Sequence, residues 1–437
     1  MMISKIKTYI TSKILSDDIL KKFISGAFWS VLGNVIVKGL SLVAGLFVAK
    51  LLGSISFGEL SIIKSTLSVF GLLASFGLGF TITKLIGESL QKDAKQVGQV
   101  ISAANVIIFI SSFLFGLGLV LFAPLISIFL YKNESLIIPL RLSGVFLFFN
   151  AINTYQLGLI SGFQLFKGLA RINTILGIVS FPIILLFTYF LGLKGTLIAM
   201  ICNSMIGCSL NYSIIKKEQR IKGIVILYEK LYKRIRKILS FSLPLALREI
   251  IYSTGNWITY YLLLEKSDFG EVGIFNSANQ LSQIILFLPG AILGVSLSML
   301  STHRENKKNY VSLVKKSLLF NFIIVVVVGV FIAIFSGLIY DFYGNSYQGG
   351  REVLYVLILC TIPMSFISVF EQICISSSKP NWVTIFTFLG QFSIIVSVVI
   401  LFYFSEKALS LAYSYLIGYS TFAITMYLFL KKRKMLV

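Results

Sequence analysis

Phe57-Gly58-Glu59-Leu60-Ser61-Ile62-Ile63-Lys64-Ser65 comes back 212 residues later as Phe269-Gly270-Glu271-Val272-Gly273-Ile274-Phe275-Asn276-Ser277. Phe, Gly, Glu, Ile and Ser hold the same places in both copies. The offset is almost half of the 437-residue chain. Each copy sits where a short, sparsely charged loop enters a long apolar segment. The chain therefore divides into two halves of one layout. In a membrane protein, such a duplication points to a path between the halves.

Composition places both halves in a bilayer. The chain is 57% hydrophobic and only 13% charged, with a mean hydropathy of +0.90. A soluble core cannot absorb that much apolar surface, whereas each spanning helix uses about 20 apolar residues. Met1 to Lys22 has no apolar signal region or cleavage site. Its Ile3, Ile6, Ile10 and Ile14 recur at helical spacing and predict a segment lying on the membrane surface. Cys202, Cys208, Cys360 and Cys374 all fall in apolar runs without metal-ligand spacing, so neither a disulfide nor a metal site is expected. His303 is the sole histidine. Acid–base enzymes lean on histidine or paired carboxylates, so the composition argues against catalysis, and no cofactor is expected.

The predicted fold is all-α, with about twelve membrane spans. They run over residues 25–50, 58–83, 98–122, 137–161, 171–192, 195–215, 239–263, 272–299, 313–338, 352–375, 381–403 and 408–430. Alternate loops on one side, with both termini, carry most of the 39 basic residues. The opposite loops hold only Lys50, Lys132, Lys194, Lys266, Arg351 and Lys407. The positive-inside rule then puts both termini in the cytoplasm. Basic residues dispersed among short loops make nucleic-acid binding a poor reading. The expected organisation is an interfacial segment (1–22), a first lobe of six helices (23–215), a basic linker (216–238), a second lobe of six (239–430) and a basic tail (431–437). Six is even, so the lobes are parallel. Within the linker, Ile221, Val225, Tyr228, Leu231, Tyr232 and Ile235 interleave with lysines and arginines, predicting an amphipathic stretch on the inner leaflet.

Ionisable groups inside spans carry the sharpest functional signal, because each costs about 2.5–3.5 kcal/mol to insert. Lys38 lies mid-span on a face with Asn34. Arg248 and Glu249 lie deep in the seventh span; as sequence neighbours they are expected not to face each other. Tyr252 continues the Arg248 stripe and Asn256 the Glu249 stripe. The eighth span carries Asn276, Asn279, Gln280 and Gln283. Lys64 and Arg141 are close enough to span ends to snorkel instead. Glu59 and Glu271 begin spans and suit the positive end of a helix dipole. Glu249 and Glu371 are the candidate ion-coupling groups. Pro182, Pro289 and Pro363 fall inside spans, where kinks can act as hinges.

Gly26-Ala27-Phe28-Trp29, the run from Lys50 to Glu59, Phe76-Gly77-Leu78-Gly79, Thr83-Lys84, Gln156, Ser161-Gly162 and Phe166 together carry a resemblance. The chain resembles the multidrug/oligosaccharidyl-lipid/polysaccharide flippase superfamily, and within it the Wzx-type O-antigen and capsular polysaccharide flippases. Lys50 stands where that family more often has arginine. The resemblance implies two six-helix lobes in a V around a central cavity, in a bacterial inner membrane. It implies a polyprenyl-pyrophosphate-linked oligosaccharide as substrate, moved from the cytoplasmic to the periplasmic leaflet. It also implies partners among membrane lipid, a glycan polymerase and glycosyltransferases, and an ion gradient or membrane potential as driving force. Under that reading Lys38 and Arg248 hold the pyrophosphate with Lys64 and Arg141 assisting, because cationic groups meet phosphate with charge-assisted bonds. Asn34, Tyr252, Asn256, Asn276, Asn279, Gln280 and Gln283 would contact sugar. Two competing readings are a cation-coupled multidrug exporter of the same fold and a membrane glycan polymerase or ligase. The first should place carboxylates in its cavity, and the second needs long outer loops and catalytic bases.

Overall fold

The computed structural model describes residues 18–90, 93–302, 307–377, 380–405 and 407–433, with side chains left undescribed at 18–36, 244–245, 291–299, 301–302, 307–309 and 380. Every regular element among them is helical. The helices are α1 (Asp18–Ser75), α2 (Leu78–Leu90), α3 (Ala94–Leu125), α4 (Ile137–Gly162), α5 (Phe166–Ile221), α6 (Leu231–Lys266), α7 (Phe269–Thr302), α8 (Lys307–Tyr343), α9 (Gly350–Ser376), α10 (Pro380–Phe402) and α11 (Ala408–Lys432). Seven segments among the described residues are long and apolar enough to cross a bilayer.

The expected loop between the first two spans does not exist. Helical hydrogen bonding runs through α1 and bends at one residue, Gly53 (φ 70, ψ 173). Only glycine adopts that backbone without strain, so a one-residue bend replaces a loop. α5 turns in the same way at Gly192 (φ 57, ψ −135). Conversely, the expected second span is broken at Phe76 and Gly77, both at positive φ, and α2 continues it. The basic linker is also shorter than expected, because α5 runs on to Ile221 and α6 starts at Leu231.

α1 to α5 pack together as one lobe and α6 to α11 as another, and the lobes meet chiefly where α1 faces α6 and α7. The α1–α7 contact is made by the repeated segments. A Cβ on Gly58 would overlap the carbonyl oxygen of Phe269, and a Cβ on Gly273 would overlap that of Ser54. Each glycine thus receives the backbone four residues before the other, the close approach that small residues permit between membrane helices. Around the crossing, Phe57, Phe275 and Tyr347 are almost wholly buried. The Tyr347 hydroxyl donates to Ala49 O at 2.7 Å, tying the turn between α8 and α9 to the first lobe. Burial raises that hydroxyl above its ordinary value, so it stays a neutral donor.

Further bonds join the lobes. Trp257 Nε1 on α6 donates to Tyr131 at 3.1 Å, and Tyr131 shares a 2.6 Å hydrogen bond with Thr66 on α1. Ser68 donates to Ser253 at 3.0 Å. Toward the linker end, Ser242 donates to Thr81 at 3.0 Å. The linker and the start of α6 are fastened to α3, with Ser102 donating to Leu227 O at 2.6 Å and Arg234 to Gln99 at 3.0 Å.

Candidate functional site

Beyond the Gly58–Gly273 crossing, α1 and α7 line a cavity of about 220 Å³. Ser61, Lys64, Ser65 and Ser68 come from α1, and Asn276, Asn279, Ser282 and Gln283 from α7. Tyr252, Asn256 and Tyr260 from α6, Leu357, Cys360 and Met364 from α9, and Tyr415 and Tyr419 from α11 complete it. The lining residues include no carboxylate.

The polar groups are ordered by one another. Tyr260 donates to Asn276 Oδ1 at 3.1 Å and accepts from Asn279 Nδ2 at 3.3 Å. Gln283 Nε2 donates to Asn279 Oδ1 at 3.5 Å. Tyr415 donates to Asn256 Oδ1 at 3.3 Å and shares a 2.9 Å bond with Thr259. Each of the three asparagine oxygens accepts one of these bonds. Among the described residues, the amino groups of Asn256 and Asn276 and the Lys64 ammonium are left without a partner. With the Gln283 amide oxygen and several hydroxyls also in the lining, the cavity offers donors and acceptors to a polar ligand.

A second cavity of about 210 Å³ lies alongside, inside the α6–α11 lobe, and shares Tyr252, Met364 and Tyr419 with the first. It holds Arg248, Glu249, Ser368, Glu371, Thr387 and Gln391. Arg248 Nη2 donates to Glu371 in a short ion pair. Its Nη1 lies 4.0 Å from Glu249, so the two sequence neighbours approach after all, with both side chains directed into one pocket. The Gln391 Oε1 is buried with no partner among the described residues.

The remaining predicted residues scatter. Lys38 is exposed on α1, with its ammonium 5.1 Å from the Phe287 ring of α7. Gln280 is outside the cavity lining; it donates to Leu42 O at 3.3 Å and fills the space that a side chain at Gly45 would need. Arg141 shares an exposed stripe of α4 with Ile138 and Val145, and lines neither cavity. That stripe fits the snorkelling reading. Asn34 lies in α1, and its side chain is outside the described residues. Glu59 and Glu271 do not cap their own helices. Glu59 accepts from Asn133 at 3.0 Å, and Glu271 accepts from the Ala408 N–H that opens α11 at 2.7 Å. Asp268 does the capping of α7, accepting from the Glu271 N–H at 2.9 Å.

Sequence reasoning missed Tyr415 and Tyr419. Their spacing of four inside the apolar last helix was the available signal. The larger groove of about 650 Å³ along α3 and the turn that follows it, lined by Leu114, Phe122 and Phe129 among others, is apolar and shares no lining residue with either cavity.

Paired lobes around a polar cavity define a class. The fold is that of the MATE transporters of the MOP superfamily. An inward-facing multidrug resistance MATE family transporter of that superfamily superposes with a TM-score of 0.76 at 16% identity, over 92% of this chain and 98% of that one. An outward-facing conformation gives 0.67 at 16% identity, over 94% and 95%. A MOP superfamily transporter from Pyrococcus furiosus, described by a binding pocket of reverse polarity, also gives 0.67 at 16%, over 94% and 95%. No curated protein sequence matches the chain. Residues 23–303 match the polysaccharide biosynthesis protein family, and the chain belongs to that family.

Proposed function

We propose that this protein is a flippase that carries a polyprenyl-pyrophosphate-linked oligosaccharide, an O-antigen or capsule repeat unit, across the inner membrane of a bacterium. It has twelve spans, cytoplasmic termini, and a seal of outer orientation at Gly58 and Gly273. The single observation that carries the reading is the central cavity, which offers Lys64, carboxamide donors and tyrosines with no carboxylate, in a member of a polysaccharide biosynthesis family. Tyrosines and amides suit sugar hydroxyls, and cations suit phosphate. Alternating access opens the cavity to one leaflet at a time.

Lys38 stands beside the α1–α7 seam at a level where a Cβ on Gly39 or Gly290 would meet nothing within 4 Å. That is the place for a pyrophosphate whose polyprenyl tail stays in lipid. Arg248 is its partner in the other lobe, released from Glu371 as the phosphate arrives. Glu371 and Glu249 are then the coupling groups, with a proton or cation taking the place that Arg248 leaves. The glycan polymerase and glycosyltransferases of the same pathway are the protein partners.

Complementation with Lys38→Ala and Arg248→Ala tests this. Loss of surface glycan is expected at normal protein level, and unchanged glycan in both variants overturns it. Arg248, Glu249 and Glu371 also line a pocket that a cation-coupled exporter could use. Inhibitor-sensitive efflux of a cationic dye would favour that second reading.

A further inference from the structure

Arg351 is the second residue of α9. It lies at the end of the molecule that carries the Gly58–Gly273 crossing, where Tyr347 packs on Phe57 and bonds Ala49 O. An arginine at the edge of a span ordinarily snorkels outward to water. This one reaches the other way. Its Nε–H is shared between Ser336 Oγ at 3.1 Å and Tyr355 Oη at 2.6 Å. Tyr355 is one turn further into α9. Ser336 is seven residues before the end of α8, about 10 Å along that helix.

The hydrogens of this cluster can all be placed. Ser336 donates to Ala333 O at 2.6 Å. Its 3.1 Å bond with Tyr355 is then donated by the tyrosine. Both hydroxyl oxygens are left to accept, and both accept from Nε. The Tyr355 ring lies 5.6 Å from Cζ, and a Cβ on Gly337 would come within 3.9 Å of Cζ and Nη1. The guanidinium is thus seated against both helices with its orientation fixed. Its Nη hydrogens are unspent. Among the described residues Arg351 makes no ion pair, and neither Nη has a hydrogen-bond partner.

The surroundings are apolar and open. Phe331, Ile334 and Leu338 on α8 and Leu359 on α9 are exposed. A cation held among such side chains in a bilayer calls for an anion. Two Nη groups side by side match the oxygens of a phosphate. Arg351 lines neither polar cavity. The phosphate that meets it therefore belongs to the standing bilayer rather than to cargo in transit.

We infer that Arg351 holds the phosphate of a glycerophospholipid in the leaflet nearest the crossing, with the acyl chains along Ile334, Phe331 and Leu359. Ser336 and Tyr355 are positioning residues that keep the guanidinium turned into the bilayer. The bound lipid covers the α8–α9 face whose connecting turn Tyr347 ties to the first lobe.

The test is native mass spectrometry of the purified full-length protein, titrated with dioleoylphosphatidylglycerol, dioleoylglycerol and undecaprenyl phosphate. Wild type is expected to bind the phosphatidylglycerol about tenfold more tightly than dioleoylglycerol, the scale of one charge-assisted contact. Arg351→Gln removes that advantage. Arg351→Lys keeps part of it, because an ammonium retains the charge without the fork. Tyr355→Phe leaves the charge in place and weakens phosphatidylglycerol a few-fold, which decides the matter if Arg351→Gln folds poorly. Lys407→Gln, on the same side of the protein, leaves the affinity unchanged. Equal binding of dioleoylglycerol by wild type, full affinity in both Arg351→Gln and Tyr355→Phe, or an equal loss in Lys407→Gln overturns the inference. Undecaprenyl phosphate bound tenfold more tightly than phosphatidylglycerol, and lost in Arg351→Gln, overturns it too and assigns the site to the carrier lipid.

Discussion

The two copies of the repeated segment share their sequence and divide their labour. Gly58 and Gly270 are equivalent by the 212-residue offset. Yet Gly58 meets Gly273 and Phe269 across the lobes, while Gly270 has only Asp268 and Ser54 side chains near it. The contact is slipped from the sequence repeat by almost one helical turn. Glu59 and Glu271 also go separate ways, one to Asn133 and the other to the start of α11. Both nevertheless fasten their helix to another element of their own lobe. One turn further on the copies part, with Lys64 facing a cavity wall that carries Asn276. Duplication supplied a symmetric frame, and divergence at its inner rim supplied chemistry.

Substitutions can break this comparison, and the largest effect belongs to the crossing. Gly58→Leu or Gly273→Leu puts a side chain where the opposing backbone runs. Nearly complete loss of surface glycan is expected at normal protein level. Gly270→Leu, though equivalent to the first by sequence, should be mild. Equal effects at Gly58 and Gly270 would show that the slip is unimportant.

Next comes the Arg248–Glu371 ion pair of the second lobe. Arg248→Ala leaves Glu371 uncompensated in a mostly buried setting. A modest destabilisation of about 1–2 kcal/mol is expected, read as a lower Tm, because the pair is partly exposed to a cavity. Adding Glu371→Gln should restore most of it. An unchanged Tm in Arg248→Ala alone would remove the structural role of the pair.

The exchange of Lys64→Asn with Asn276→Lys tests the divergent position directly. It presents the ammonium from the other lobe to the same cavity. Surface glycan in a complementation assay should fall about tenfold in Lys64→Asn and return to within a few-fold of wild type in the double variant. Failure to return would mean that the side of the cavity carrying the charge matters. The smallest effect is expected at the rim of the seal. Tyr347→Phe removes the donor to Ala49 O and should cost about 1 kcal/mol in thermal unfolding.

Much of the frame could be read in advance. Apolar runs locate most helices because a bilayer demands long, internally hydrogen-bonded segments. The two bends at Gly53 and Gly192 were hidden, since a glycine at positive φ looks no different in sequence from one inside a helix. Lys64, Tyr252, Asn256, Asn276, Asn279 and Gln283 were picked from helix faces and share one cavity. Gln280 had the same credentials and is spent on Leu42 O across the seam. Arg141 had a comparable depth and lies on an exposed apolar stripe. Hydropathy and helical spacing give a residue's depth and its face. They do not say which neighbour that face meets.

The sequence alone determined the membrane class, the duplication and the position at which the two copies differ. These are properties of single segments, set by local apolar content and by identity at a fixed offset. Only the tertiary structure decided that the copies touch at Gly58 and Gly273, that Arg248 is held by Glu371 123 residues away, and that Lys64 faces amide donors rather than a carboxylate. Those facts depend on which helices lie side by side, and side-by-side packing is settled by shape and backbone approach between segments far apart in the chain.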